Sequence, residues 1–453
     1  MPDPSARLGR ALRLWASALL ALHLAAPLLP EERAWGLWPI TAVAPWARWL
    51  SAAACGALIW WQEPLLRLLA RLRVRARRGK HLLPLAALPL FYLGRIVHTR
   101  WGDAYILAKG IPHPDHRLTY TWQAPLDVFL HARLWALGNR LWGWADAMPA
   151  YWFTSTLAGV VFLSLLLRLA DLLGRERTEK GLAFGLVASL GLMQFFFGYV
   201  ENYVLMTVAV LAYLYLGLRF LRGEVGLAWP ATALACAHAL HPSSLILLPS
   251  LLYLAWRERG AGGFVRLCVA VVAPYVLIIG STVALMTAGG HGLEKLFTTD
   301  RPGGGDARWL VPLFHAETRW EHYTMFSWAH LLDILNEQLL VAPVILPTLA
   351  LAALLAPRAT RAALNAEGRF LALASACYLL LTWLWNPDYG GRRDWDLFAP
   401  AYLPTALLAA QVLSHALPDR KALARAGLAL IAVSLWHTAA WVYSNTRPWE
   451  WPR

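Results

Sequence analysis

Trp101-Gly102-Asp103-Ala104-Tyr105 stands just past an apolar run over residues 82–96, so that one carboxylate sits between aromatic side chains where a hydrophobic segment ends. Ionisable groups beside the hydrocarbon region of a membrane are costly and are retained for function, which places Asp103 at the mouth of a membrane-embedded site. The other unusual polar clusters of the chain are expected to converge on it.

Composition agrees. The chain has 453 residues, of which 58% are hydrophobic and only 15% charged, and its mean hydropathy is +0.45. That is too apolar for a soluble protein of this size and fits an integral membrane protein. The net charge of +14 lies mainly in short Arg and Lys runs between apolar segments. Such runs mark cytoplasmic loops, with attraction to anionic membrane lipids as a second effect, so no nucleic-acid partner is expected. Cys55, Cys236, Cys268 and Cys377 fall in or beside apolar segments without metal spacing and read as small core residues. The first apolar stretch, 11–29, is followed by Glu31-Glu32-Arg33 rather than by a small-residue cleavage site, and so reads as a span.

Working outward from Asp103, the pattern gives an all-α polytopic protein with about thirteen transmembrane helices. They fall near residues 11–29, 42–61, 82–98, 150–172, 182–198, 203–220, 226–239, 243–256, 264–287, 331–356, 369–385, 397–415 and 425–443. The densest basic run, residues 67–80, anchors the cytoplasmic side and puts Asp103 outside. Arg175, Arg177 and Lys180 before residues 182–220, with Arg219 and Arg222 after them, make that stretch a hairpin that turns outside at Gly198-Tyr199-Val200-Glu201-Asn202-Tyr203. Residues 226–256 form a second hairpin turning at His241-Pro242-Ser243-Ser244. Its arms are too short to cross a ~30 Å hydrocarbon core, and a polar turn that stops short must be buried in protein or line a wet cavity. The outer loops are then 98–148, 288–328 and 386–396, and Asp103, Glu201, His241, Arg392, Arg393 and Asp394 share the outer face. Residues 125–144 of the first loop carry a helical pattern. Leu126, Phe129, Leu130, Leu134 and Leu141 stand on one side, with His131, Arg133 and Arg140 on the other, the signature of an interfacial helix.

The motifs WGDAYIL, GYVENY, HPSS and NPDYGGRRDWD, on this architecture, resemble the superfamily C (GT-C) glycosyltransferases, which use polyprenyl-phosphate sugars. The resemblance covers residues 82–443 and leaves residues 1–81, with two helices and a basic loop, as an N-terminal addition to the core. It implies an inverting transfer of a sugar to a glycan, lipid or protein acceptor at the outer face of the inner membrane. Asp103 matches the first-loop acid and would serve as general base or orient the acceptor. Glu201 matches the second acidic position loosely, as a ligand for a sugar hydroxyl or a divalent metal, with Tyr203 beside it; a single acid there makes metal dependence doubtful.

Arg392 and Arg393 are the best phosphate ligands in the chain, since each guanidinium offers a charged bidentate fork. Asp394 reads as a partner for a neighbouring arginine, Asp396 as the N-cap of the next span, and His241 as a turn former or sugar contact. Arg301-Pro302-Gly303-Gly304-Gly305-Asp306 reads as a lid or acceptor-selecting loop over the site, and His315, Glu317, Glu321 and His322 lack the spacing of a zinc motif. The alternatives are a transporter or lipid flippase, which would place its ionisable groups near the midplane in repeated halves, and a lipid-linked glycan ligase or polymerase.

Overall fold

The computed structural model describes residues 4–65, 67–68, 82–258, 263–296 and 308–449. The Gly-rich segment 301–306 and most of the basic run 67–80 lie outside the described residues. Among the described residues the only β-pairing is an isolated antiparallel bridge between Leu310 and Trp385, and the rest of the regular structure is helical.

Each of the thirteen expected segments carries helix. Among the described residues six helices are long and apolar enough to cross a membrane: Pro4–Leu28, Met148–Leu173, Val204–Leu221, Val265–Ala288, Trp395–Ala416 and Arg420–Asn445. A seventh crossing arises if Trp328–Val341 and Ile345–Leu355 are taken together, but these two meet at 96°, so the expected span 331–356 is not one rod. Pro343 sits in the break, where a missing N–H and a ring clash end the first helix. Segment 182–198 likewise divides into the helix Arg177–Ala188 and a 3-10 turn, Gly191–Phe196.

The bundle is built around Trp395–Ala416, 94% of whose most apolar stretch is buried, whereas Val265–Ala288 is 6% buried and lies at the rim. Arg420–Asn445 packs on Arg177–Ala188 and on both N-terminal helices, Pro4–Ala25 and Pro45–Trp60. Small residues allow the first of these approaches: a Cβ on Gly427 would lie 2.7 Å from Leu182, and one on Gly185 would strike Ile431. Close backbone approach of this kind is what joins helices where no hydrophobic force separates them from lipid. His23 on the first helix meets His437 on the last at 2.7 Å, within the bundle.

The loop helix is Pro125–Trp142; Arg133 and Arg140 are exposed, whereas His131, expected beside them, turns inward. His131 and Asp127 are buried, while Leu130, Leu137, Leu141 and Trp142 are exposed to the surroundings. The reason is a polar pin. His131 Nδ1 lies 3.0 Å from Asp127 Oδ2, its Nε2 is 2.7 Å from Thr154 Oγ1 on Met148–Leu173, and its ring stacks on Tyr151 at 3.8 Å. Burial pushes the Asp127 carboxyl up, and His131 only partly offsets this. His131→Ala should therefore lower stability by about 1–3 kcal/mol, because it strands a buried carboxyl. Removing both groups, Asp127→Leu with His131→Ala, should be milder than the single change; thermal unfolding in detergent reads the order.

Candidate functional site

The chain leaves the helix Leu83–Leu93 in an irregular segment that is anchored twice. Ile96 N–H donates to Phe197 O at 2.9 Å, and buried Trp101 donates from Nε1 to Asn445 Oδ1 at 2.7 Å. Between these anchors and the helix Ala104–Gly110, Gly102 takes φ +43°. Its N–H donates to Arg393 O at 3.0 Å, and the next N–H, that of Asp103, donates to Glu201 Oε1. A Cβ on Gly102 would strike that Glu201 oxygen and lie 3.4 Å from Asp396 Oδ2. Only glycine combines this backbone with two carboxylates pressed against it.

The Asp103 side chain does not cap the helix that follows it. Tyr389 Oη donates to its Oδ1 at 3.0 Å, and Gln123 Nε2 donates to its Oδ2 at 2.6 Å. Three segments remote in sequence thus meet at one carboxylate. Arg100 pairs with Glu31, and Arg95 lies over the rings of Tyr92 and Trp152.

Glu201 is buried, not a turn charge facing water, and its Oε2 accepts Asn202 N–H at 3.1 Å. Asp396 is not an N-cap. It lies one residue inside the short helix Trp395–Phe398, where its Oδ2 accepts the Tyr199 hydroxyl at 2.9 Å and its Oδ1 accepts Leu397 N–H. Asp394 takes the N-cap position, and its Oδ2 accepts Tyr389 N–H at 2.7 Å, which shapes the turn carrying Tyr389. Arg392 and Arg393 diverge. Arg392 pairs with Glu31, while Arg393 lies over the Tyr389 ring at 4.6 Å and reaches Gly102 O at 3.5 Å. His241 caps the 3-10 turn Pro242–Leu247 by accepting Ser243 N–H, and its ring meets Tyr203 at 4.6 Å. The turn is buried, as its short arms require.

Asp103, Glu201, Arg393 and Asp394 are thus joined by hydrogen bonds, Tyr203 and His241 flank them, and Arg392 faces a neighbouring position. Burial, and then the Asp396 and Asp103 carboxylates, push Glu201 well above the usual range; burial and Asp396 do the same to Asp394. Like charges this close in a medium of low polarity are avoided by holding some of them neutral. Every carboxylate oxygen of Asp103, Glu201 and Asp396 already accepts an N–H or O–H.

Sequence reasoning did not find Gln123, Tyr389, Tyr199 or Gly102 as site residues, nor Glu31. Tyr389, Tyr199 and Gly102 lie within quoted motifs and Glu31 in the charged run after the first span, but Gln123 stands in a stretch with no local signal.

No protein-family model matches the chain, and no curated protein matches it. Among solved structures, it is similar to ArnT from Cupriavidus metallidurans bound to undecaprenyl phosphate, at 11% identity and a TM-score of 0.52, over 82% of this chain and 78% of that one. It also matches the Archaeoglobus fulgidus oligosaccharyltransferase in its apo form, at 13% identity and a TM-score of 0.47, over 82% of this chain and 57% of that one. At 11% identity the likeness to the first of these is one of fold alone: the chain shares its all-helical architecture.

Proposed function

We propose that the chain is an integral-membrane glycosyltransferase that moves a sugar from a polyprenyl-phosphate-linked donor to a glycan, lipid or protein acceptor, with its site on the outer, periplasmic side of the inner membrane. One observation carries this reading. The loop 386–396 that holds Asp103 in place through Tyr389 is the loop that bears Arg392 and Arg393, and its backbone is tied to that of Gly102. An acid and a pair of permanent cations are thereby fixed as one unit, which suits a transfer in which a hydroxyl loses a proton while a phosphate departs.

In this reading the acceptor hydroxyl donates to Asp103, which draws off its proton as the nucleophile attacks the anomeric carbon. The bond from that carbon to the phosphate oxygen breaks, and the negative charge gathering on the departing lipid phosphate is neutralised by the guanidinium groups. Gln123 and Tyr389 aim the Asp103 carboxylate, Glu201 fixes its backbone, and Tyr203 with His241 lines the flank where the sugar would lie. Attack opposite the leaving phosphate inverts the anomeric centre.

The test is transfer by purified protein from radiolabelled polyprenyl-phosphate sugars, wild type beside Tyr389→Phe. The wild type is expected to release label from the carrier. The variant loses one neutral hydrogen bond, worth on the order of 1 kcal/mol, and should be about fivefold slower. Movement of an intact lipid or solute across liposomes, with no label leaving the carrier, would instead establish the transporter.

A further inference from the structure

Glu31, in the link between the first two helices, lies outside the part of the chain that resembles the glycosyltransferase core, yet it is held against the site. Trp35 Nε1 donates to Asp333 Oδ1 at 3.0 Å, Gly36 N–H donates to Asn336 Oδ1 at 2.9 Å, and Asn336 Nδ2 donates back to Arg33 O at 2.9 Å. The other Asp333 oxygen accepts Gly391 N–H at 3.1 Å. A single carboxylate therefore fastens the Glu31 segment to the turn that carries Arg392.

Within this frame the two arginines address one atom. Arg392 Nη2 is bonded to Glu31 Oε1, and Arg100 Nη2 lies 3.7 Å from the same oxygen. The Arg100 guanidinium is oriented by the rings of Trp101 and Trp449, at 4.6 and 5.4 Å. All three charged side chains keep about 30% exposure (27% for Arg100, 28% for Arg392 and 33% for Glu31), so a ligand can reach them. Burial, and then Arg392, press the Arg100 guanidinium down to about 10, and Glu31 offsets this only in part. A phosphate presents several oxygens and up to two charges, and so satisfies both forks better than one carboxylate can.

We propose that Arg100 and Arg392 form a phosphate seat in which Glu31 is a built-in competitor, leaving when the phosphate enters. The Glu31 pairs are too exposed to be strong, so the exchange is cheap. That the phosphate is the lipid carrier's rests on the transferase reading above; that the seat takes phosphate does not.

The experiment measures binding of undecaprenyl phosphate and, separately, inorganic phosphate to full-length protein in nanodiscs. Wild type is compared with Glu31→Gln, Arg100→Ala, and Glu31→Gln with Arg100→Ala, and transfer is assayed in parallel. Glu31→Gln is expected to bind about fivefold tighter, the equivalent of one exposed ion pair, and Arg100→Ala should abolish that gain. A gain with the lipid identifies the carrier as the ligand; a gain with inorganic phosphate alone keeps the seat and identifies free phosphate. Equal affinity of wild type and Glu31→Gln for both probes would overturn the seat. Tighter binding without any transfer would leave the seat standing and remove the transferase reading.

Discussion

Asp103→Asn is expected to lower the rate of sugar transfer by about 10²–10⁴-fold with little change in KM, the range that a positioned general base supplies. The substitution isolates basicity because the geometry around it can survive. The amide side chain would keep an oxygen for the Tyr389 hydroxyl, now 3.0 Å from Oδ1. Its nitrogen would face Gln123, whose own amide can rotate to present oxygen in place of the nitrogen now 2.6 Å away. Shape and these two hydrogen bonds are retained, while the charge and the ability to take a proton are lost. Single-turnover transfer from a polyprenyl-phosphate sugar is the measurement. A variant within tenfold of wild type would show that Asp103 orients the acceptor without drawing off its proton, and the base would have to be sought elsewhere in the cluster.

The sequence exposed the ends of this site better than its middle. Asp103, Glu201, Asp394 and the two arginines stood out because charge is scarce in an apolar chain, and loop charges alone placed them at one end of the bundle. The membrane class followed from composition, and the short arms around His241 correctly implied a buried turn. Pairing geometry was harder to see. Gln123 meets Asp103 across a turn-rich loop in which no periodicity operates, so nothing in its neighbourhood distinguishes it from any polar loop residue.

On the loop helix, His131 alone of the three expected polar positions is buried. Its partners Asp127 and Thr154 draw it inward, and nothing in the spacing of charged residues announces that pairing. Glu337 was similarly hidden. It lies in what read as an unbroken span, yet its carboxylate is buried beside the 96° break, and neither oxygen has a hydrogen-bond partner among the described residues. Pro343 was visible and does mark that break, but proline within an apolar run is tolerated often enough that it did not force the division.

Gly102→Ala should do nearly as much harm as loss of the carboxylate, though the residue carries no chemistry. At φ +43° an L-residue meets a left-handed strain of roughly 1–2 kcal/mol. The larger effect is steric. The new methyl group would strike Glu201 Oε1, lie 3.1 Å from Glu201 Cδ and crowd Asp396 Oδ2. Glu201 cannot retreat without giving up the N–H groups of Asp103 and Asn202, and Gly102 cannot retreat without breaking its bond to Arg393 O. The loop therefore has to move, and it moves Asp103 away from Gln123 and Tyr389. A displacement of about 1 Å at a reacting group costs on the order of 100-fold, so transfer should fall by about that factor while the protein still folds and inserts.

A second substitution separates the two causes. Shortening the neighbour with Glu201→Asp withdraws its carboxylate by one methylene and should restore part of the activity of Gly102→Ala if the collision dominates. If strain at the backbone dominates, the double variant will be no better than the single. Full activity in Gly102→Ala itself would mean that the carboxylates can part from the main chain at no cost to transfer, and that the clasp of Glu201 on the Asp103 backbone does not position the site.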